Sequence, residues 1–138
     1  MILIDTNVIS EPLRKIPDPR VLEWIDAQAV ETLYLSTITI AELRFGIASL
    51  PTGKRRNELQ QNIETRVLSL FTGRILAFDL PASQTYADLM AAARAAGMGI
   101  GATDGYIAAT AAAHGLAVAT RDTAPFAAAG LPVINPWA

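Results

Sequence analysis

Short apolar runs alternate along the chain with longer stretches whose apolar positions recur every three or four residues. The short runs are Ile2–Ile4, Leu33–Leu35, Ile75–Phe78, Ala117–Ala119 and Val133–Ile134. Each is nearly all apolar, as expected of strands covered on both faces. The longer stretches predict helices from Asn7 to about Leu13, Pro19 to Gln28, Thr39 to Leu50, Lys54 to about Phe71, Pro81 to Ala96 and Asp104 to Ala113, with a short helical turn after Thr123. Leu59, Ile63, Val67 and Leu70 repeat at helical spacing. The punctuation agrees: Pro19 follows Asp18 at a first-turn position, Pro51-Thr52-Gly53 stops one helix, and His114-Gly115 reads as a C-cap. Strand and helix in alternation predict an α/β fold around a mainly parallel sheet. No composition shift or repeat interrupts residues 1–138, so a single domain is expected.

In such a sheet every strand points at one edge, and ligands of open α/β sheets bind beyond that carboxyl edge. Four acids are placed for it. Asp5 directly follows the first strand, in Met1-Ile2-Leu3-Ile4-Asp5-Thr6-Asn7. Asp122 follows the fourth, and Glu42 lies early in the helix after the second. Asp104 opens the helix that precedes the fourth strand. Each has a structural alternative. Asp5 and Asp104 equally suit helix caps, and Asp122 suits a turn shaped by its own backbone contacts. Glu42 resists that reading. Its neighbours three and four positions away are Ile38, Thr39, Phe45 and Gly46, so it shares a mostly apolar helix face, where an inward carboxylate is costly without compensation. Asp79 reads as a helix-entry residue before Leu80-Pro81, and Glu11 and Asp18, beside prolines, as solvent-exposed.

Four carboxylates at one edge would repel one another unless a cation neutralised them. All-oxygen ligation of that kind suits Mg²⁺ or Mn²⁺, whose work on a phosphate oxygen and a bound water is that of phosphodiester hydrolysis. Composition removes competitors. There is no cysteine, hence no disulfide scaffold or thiolate metal site, and the single histidine, His114, cannot build a multi-histidine zinc centre. No G-x-x-x-x-G-K-[ST] or G-x-S-x-G occurs, and the glycines of Gly97-Met98-Gly99-Ile100-Gly101 follow a helix and read as a loop. Lys15 and Lys54 are the only lysines, which leaves a phosphoreceiver or aspartyl-phosphatase without its late lysine. The net charge of −2 rules out an overtly basic nucleic-acid binder and requires any such contact to be local. Asp5 ends the first apolar run too soon for a signal peptide, and no stretch of about 18 apolar residues suggests a membrane span. A reducing cytoplasm is expected.

Asp5-Thr6-Asn7, Glu42 in Thr39-Ile40-Ala41-Glu42-Leu43, Asp104 in Ala102-Thr103-Asp104-Gly105-Tyr106, and Thr120-Arg121-Asp122 after Val118-Ala119, in that order, resemble the PIN domain. More narrowly they resemble VapC-type toxins of bacterial toxin–antitoxin pairs, in the FitB-like branch. The likeness spans essentially the whole chain, including Asn135-Pro136-Trp137. It implies a three-layer α/β/α fold with a central, mainly parallel five-stranded sheet. It also implies a metal-dependent endoribonuclease, with Mg²⁺ or Mn²⁺ held chiefly by Asp5 and Asp104, and by Glu42 and Asp122 directly or through water. Thr6, Asn7 and Thr120 match positions that orient these acids. A cognate antitoxin, a homodimer, and DNA contact only through the antitoxin are implied as well. Many relatives carry a further acid or histidine where this chain has Pro125, which leaves Asp122 alone on that side and bears on a second metal site.

RNA would need local cations. Arg121, beside Asp122, is the best single candidate, with the alternative that it pairs with the acids and holds them in place. Lys54-Arg55-Arg56 and Arg14-Lys15 with Arg20 read first as solvated charge. Phe45, Phe71 and Tyr106 read as core or interface residues. Two other function classes stay open: a non-catalytic RNA- or DNA-associated regulatory subunit whose acids are caps, and a metal-dependent phosphatase or DNA nuclease. An oligomer is expected from the apolar, alanine-rich surface.

Overall fold

The computed structural model describes residues 1–138. Five parallel strands form one sheet in the order β3-β2-β1-β4-β5, with β1 Ile2–Ile4, β2 Leu33–Ser36, β3 Ile75–Leu76, β4 Ala117–Ala119 and β5 Val133–Ile134. The first strand is therefore central. Ile2 pairs with Leu33 on one side and Ala117 on the other, and Ile4 pairs with Ala119.

Successive strand residues face opposite sides, and the core divides accordingly. Ile4, Leu33, Leu35 and Ala119 pack with Val8, Val21, Phe71 and Trp137 on one face. Leu3 and Val118 pack with Ile107, Ala108, Ala111, Leu116 and Phe126 on the other. Helices cover both faces, giving the three layers. They are α1 (Thr6–Ser10), α2 (Pro19–Ala27), α3 (Thr37–Ala48), α4 (Lys54–Asn62), α5 (Leu68–Leu70), α6 (Leu80–Ala95), α7 (Ala102–Ala113) and α8 (Thr123–Ala128). None is long and apolar enough to cross a membrane.

Several boundaries differ from the sequence reading for local reasons. Helix α3 starts at Thr37 because the Ser36 hydroxyl accepts from the Thr39 N–H at 3.0 Å. Strand β3 stops at Leu76. It has only β2 beside it, and Phe78 turns away to meet the rings of Tyr106 at 5.0 Å and Tyr86 at 5.9 Å. Asp79 then caps α6, accepting from the Ala82 N–H at 3.1 Å, the helix-entry role expected of it.

The helix expected over Lys54–Phe71 is not uniform. Ile63–Val67 forms a π turn, and the Leu68 N–H reaches back to the Ile63 carbonyl. In an ideal α-helix, Ile63 and Phe71 would sit about 80° apart around the axis. The extra residue absorbed by the π turn reduces that to about 20°, and both side chains are buried.

Helices α6 and α7 lie against each other closely. A Cβ at Gly105 would stand 2.8 Å from Met90 Sδ and 2.9 Å from Tyr86 Cε2. A side chain there would force Met90 or Tyr86 to shift, so the glycine lets α7 sit this close, with Asp104 in its first turn.

Candidate functional site

Because all strands are parallel, their carboxyl ends share one edge, and the polar residues that follow them meet there. Asp5, Thr6, Asn7, Ser10, Glu42, Asp104 and Asp122 line one concavity of about 270 Å³ with no hydrophobic residue in its wall. All four sequence-selected acids are thus brought together. Ser10 was not selected; one turn beyond Thr6 in α1, it lacked any signal besides helical spacing. A larger hollow of about 660 Å³ lies at the α6–α7 connection, but Arg94 is its only charged residue.

Asp5 is the best anchored. It is 5% exposed, and its backbone N–H is bonded to the Ala119 carbonyl of β4 at 2.9 Å. Its Oδ1 accepts from the Thr6 N–H at 2.8 Å, so Asp5 does cap α1. The cap and site readings are compatible, since Oδ2 serves the other purpose. It accepts from the Thr120 hydroxyl at 2.8 Å and lies 3.5 Å from Asn7 Nδ2.

Thr120, fully buried, is the hub. Its hydroxyl proton goes to Asp5, and its oxygen accepts from Asn7 Nδ2 at 3.3 Å and from the Asp122 N–H at 3.1 Å. The Asn7 amide is oriented in turn: its Oδ1 accepts from the Arg121 N–H at 3.2 Å. Thr6 serves the opposite wall. Its hydroxyl donates to Glu42 Oε1 at 2.6 Å and meets the Thr39 hydroxyl at 3.2 Å. Thr6, Asn7 and Thr120 therefore touch the acids as expected.

Asp104 and Asp122 carry no comparable support. The N-cap of α7 is Gly101, and Asp104 sits in the first helical turn. Asp122 holds the N-cap position of α8, but its side chain makes no capping bond. Neither acid is used as a cap.

Three readings are corrected. Glu42 is exposed rather than inward-facing. The apolar residues of α3 are spread around the helix instead of forming one buried face, and Phe45, one turn on, is 74% exposed. Phe45 is not a core residue, whereas Phe71 is, and Tyr106 stacks on Tyr86 at 4.9 Å. Glu11 is not solvent-exposed: it is 2% exposed, because Arg14 folds over it with Nη1 3.0 Å from Oε1. Arg121 forms no ion pair with the acids, since the ion pairs of the chain are Arg14–Glu11, Arg20–Asp18, Arg44–Glu64 and Lys54–Glu58.

The four acids are therefore uncompensated. Burial pushes the Asp5 carboxyl above its ordinary range, opposed by the Thr120 and Thr6 hydrogen bonds and assisted by the charges of Glu42 and Asp122. Burial also raises Asp104, with Asp5 and Asp122 adding to the effect. Mutual repulsion among hard oxygen donors is the chemistry a hard divalent cation relieves, and the donor set fits Mg²⁺ or Mn²⁺ on that ground. As the side chains stand, no three of them are drawn together around a common point.

A family model described as PIN domain matches residues 2–131. VapC ribonuclease Y4jK of Sinorhizobium fredii is 64% identical over 137 residues, covering 99% of this chain and 98% of its own. Toxin FitB of Neisseria gonorrhoeae is 55% identical over 137 residues, covering 99% of each. Among solved structures, FitAB bound to an IR36 DNA fragment matches with a TM-score of 0.97 and 53% identity, over 100% of this chain and 96% of that one.

Proposed function

This chain belongs to the PIN-domain family, and from that premise we propose that it is a metal-dependent endoribonuclease acting as the toxin of a type II toxin–antitoxin pair. The observation that carries the proposal is the concavity itself: Asp5, Glu42, Asp104 and Asp122 line it together, and none is ion-paired. The similarity to relatives named VapC ribonuclease and FitB toxin supports RNA as the substrate class and toxin as the biological role.

Asp5 and Asp104 would hold the cation most directly, with Glu42 and Asp122 completing the oxygen set. When bound, Mg²⁺ or Mn²⁺ supplies a counter-charge for phosphate oxygens and acidifies water. The chain's own residues do the positioning. Thr120 fixes Asp5 Oδ2 and ties the Asp122 backbone to it, so the acids after β1 and β4 keep their separation. Thr6 holds Glu42 across the cleft. The raised Asp5 and Asp104 carboxyls hold protons more readily without the cation, so metal binding and proton release are coupled.

By the same reading, a cognate antitoxin covers this edge, DNA is met only through that antitoxin, and the chain pairs with a second copy. One solved structure similar to this chain is of FitAB bound to a DNA fragment, which favours this arrangement.

Cleavage of single-stranded and structured RNA, compared with matched DNA, tests the proposal. RNA should be cut with Mg²⁺ or Mn²⁺, spared in chelator, and spared by Asp5→Asn and Asp104→Asn at equal folded concentration. Equal cleavage by wild type and both variants would overturn it. Metal-independent RNA binding without cleavage would indicate a regulatory subunit instead.

A further inference from the structure

We propose that Arg121 is the substrate-backbone clamp of this site and that Trp137 positions it; the proposal rests on the ribonuclease reading above. The cations of the chain are mostly committed. Arg14, Arg20, Arg44 and Lys54 are ion-paired. Arg55 donates to the Leu13 carbonyl at 2.7 Å, and Arg74 reaches the carbonyls of Val30, Leu33 and Leu70. The Arg121 guanidinium makes no hydrogen bond or ion pair, although its residue adjoins Asp122 and its backbone N–H is bonded to Asn7. It is an unpaired cation next in sequence to Asp122, at the rim of the acid concavity rather than in its wall, and the carboxylate its charge reaches is Asp18 at the start of α2.

It is not loose. Its Cζ lies 5.1 Å from the centroid of the Trp137 ring, within reach of a cation–π contact. Trp137 is 7% exposed and packs with Ile4, Val8 and Val21. The turn that carries it is set by Asn135, whose Oδ1 accepts from the Trp137 N–H at 2.9 Å. Strand β5 delivers that turn to the site edge, where the Ile134 carbonyl accepts from the Thr120 N–H at 2.9 Å. A flat apolar ring thus holds the guanidinium without consuming its donors. That leaves a planar fork free to grip a phosphate next to the one at the acids, and gives RNA a favourable charge at a site that otherwise repels it.

The test is steady-state cleavage of a short single-stranded RNA with Mg²⁺ over a range of salt concentrations. Arg121→Ala should raise KM roughly 10-fold with little change in kcat, the signature of lost uniform binding. The slope of log(kcat/KM) against log[salt] should become shallower by roughly 0.7, one phosphate contact to a single strand. Trp137→Leu, which keeps an apolar filler, should raise KM in the same direction, Trp137→Phe should restore it, and Arg121→Ala with Trp137→Leu should be no worse than Arg121→Ala alone. An Arg121→Ala enzyme with wild-type KM and salt slope, or one defective only in kcat, refutes the clamp. A defective Arg121→Ala with a wild-type-like Trp137→Leu refutes the positioning role. If wild type cuts no RNA under any metal, the ribonuclease reading fails and takes this one with it.

Discussion

At the scale of single residues, this protein keeps acids in a state that opposes its own stability. Asp104 is partly buried beside Asp5 and Asp122 and has no hydrogen-bonded partner, and its carboxyl is raised above the ordinary 3.8. Below pH 3.8 the acid is protonated whether the chain is folded or not. As pH rises past that value the unfolded chain releases its proton first, so the folded state loses stability until the folded carboxyl also ionises, and the penalty then persists to neutrality. Asp104→Asn should therefore melt higher than wild type at neutral pH in chelator, with the difference vanishing in acid. Adding Mg²⁺ should stabilise wild type more than the variant. Melting curves in chelator and in Mg²⁺ at several pH values check both, and an Asp104→Asn protein less stable than wild type at pH 7 in chelator would count against the repulsion. Asp5 would give a less clean result, because asparagine there would disturb the bonds to Thr6 and Thr120. The acids themselves were legible in the sequence because each follows a strand or opens a helix. Their supports were legible only through family resemblance, since Thr120 and Asp5 are 115 residues apart and no local pattern links a hydroxyl to a carboxylate at that distance.

Helices and strands set how accurately those acids are held. The α6–α7 contact seats the helix that carries Asp104, and it depends on Gly105 having no side chain. Gly105→Ala would gain helix propensity of about 1 kcal/mol, but its methyl would meet Met90 and Tyr86 below 3.0 Å. Overpacking of that kind costs about 1–3 kcal/mol, so the variant should be less stable by urea titration, and RNA cleavage should fall because Asp104 moves with the helix. Alternation of apolar runs located all five strands and the principal helices. What it missed arises from contacts between elements. The π turn at Ile63–Val67 keeps Ile63 and Phe71 on one side, and Arg44 holds Glu64 there through bonds of 2.8 and 3.0 Å. Glu42 was misread for a related reason: an apolar stretch of helix was taken to have a buried face, yet α3 presents Phe45 outward.

For the whole molecule, that outward face is the notable surface. Phe45 at 74% exposure lies beside exposed Ala41, Gly46 and Ala48, an apolar surface of the kind that is normally covered. Sedimentation of the chain without antitoxin should give twice its 14.7 kDa mass, and Phe45→Glu should shift it toward the monomer at the same concentration. A wild-type monomer at micromolar concentration would count against α3 as a self-association face. The global charge of −2 concealed the local arrangement, because a sum over the whole chain does not show that four of its 13 acids meet at one sheet edge.

The strand order adds a constraint in time. The central strand β1 is made well before β4, one of its two neighbours. A polypeptide still leaving the ribosome has Asp5 and Glu42 but neither Thr120 to aim Asp5 nor Asp122 to face it. A fragment that ends within its first hundred residues lacks Asp104, Thr120 and Asp122, so the four-acid cluster cannot form in it. The acid cluster is therefore complete only after β4 and the residues that follow it have emerged.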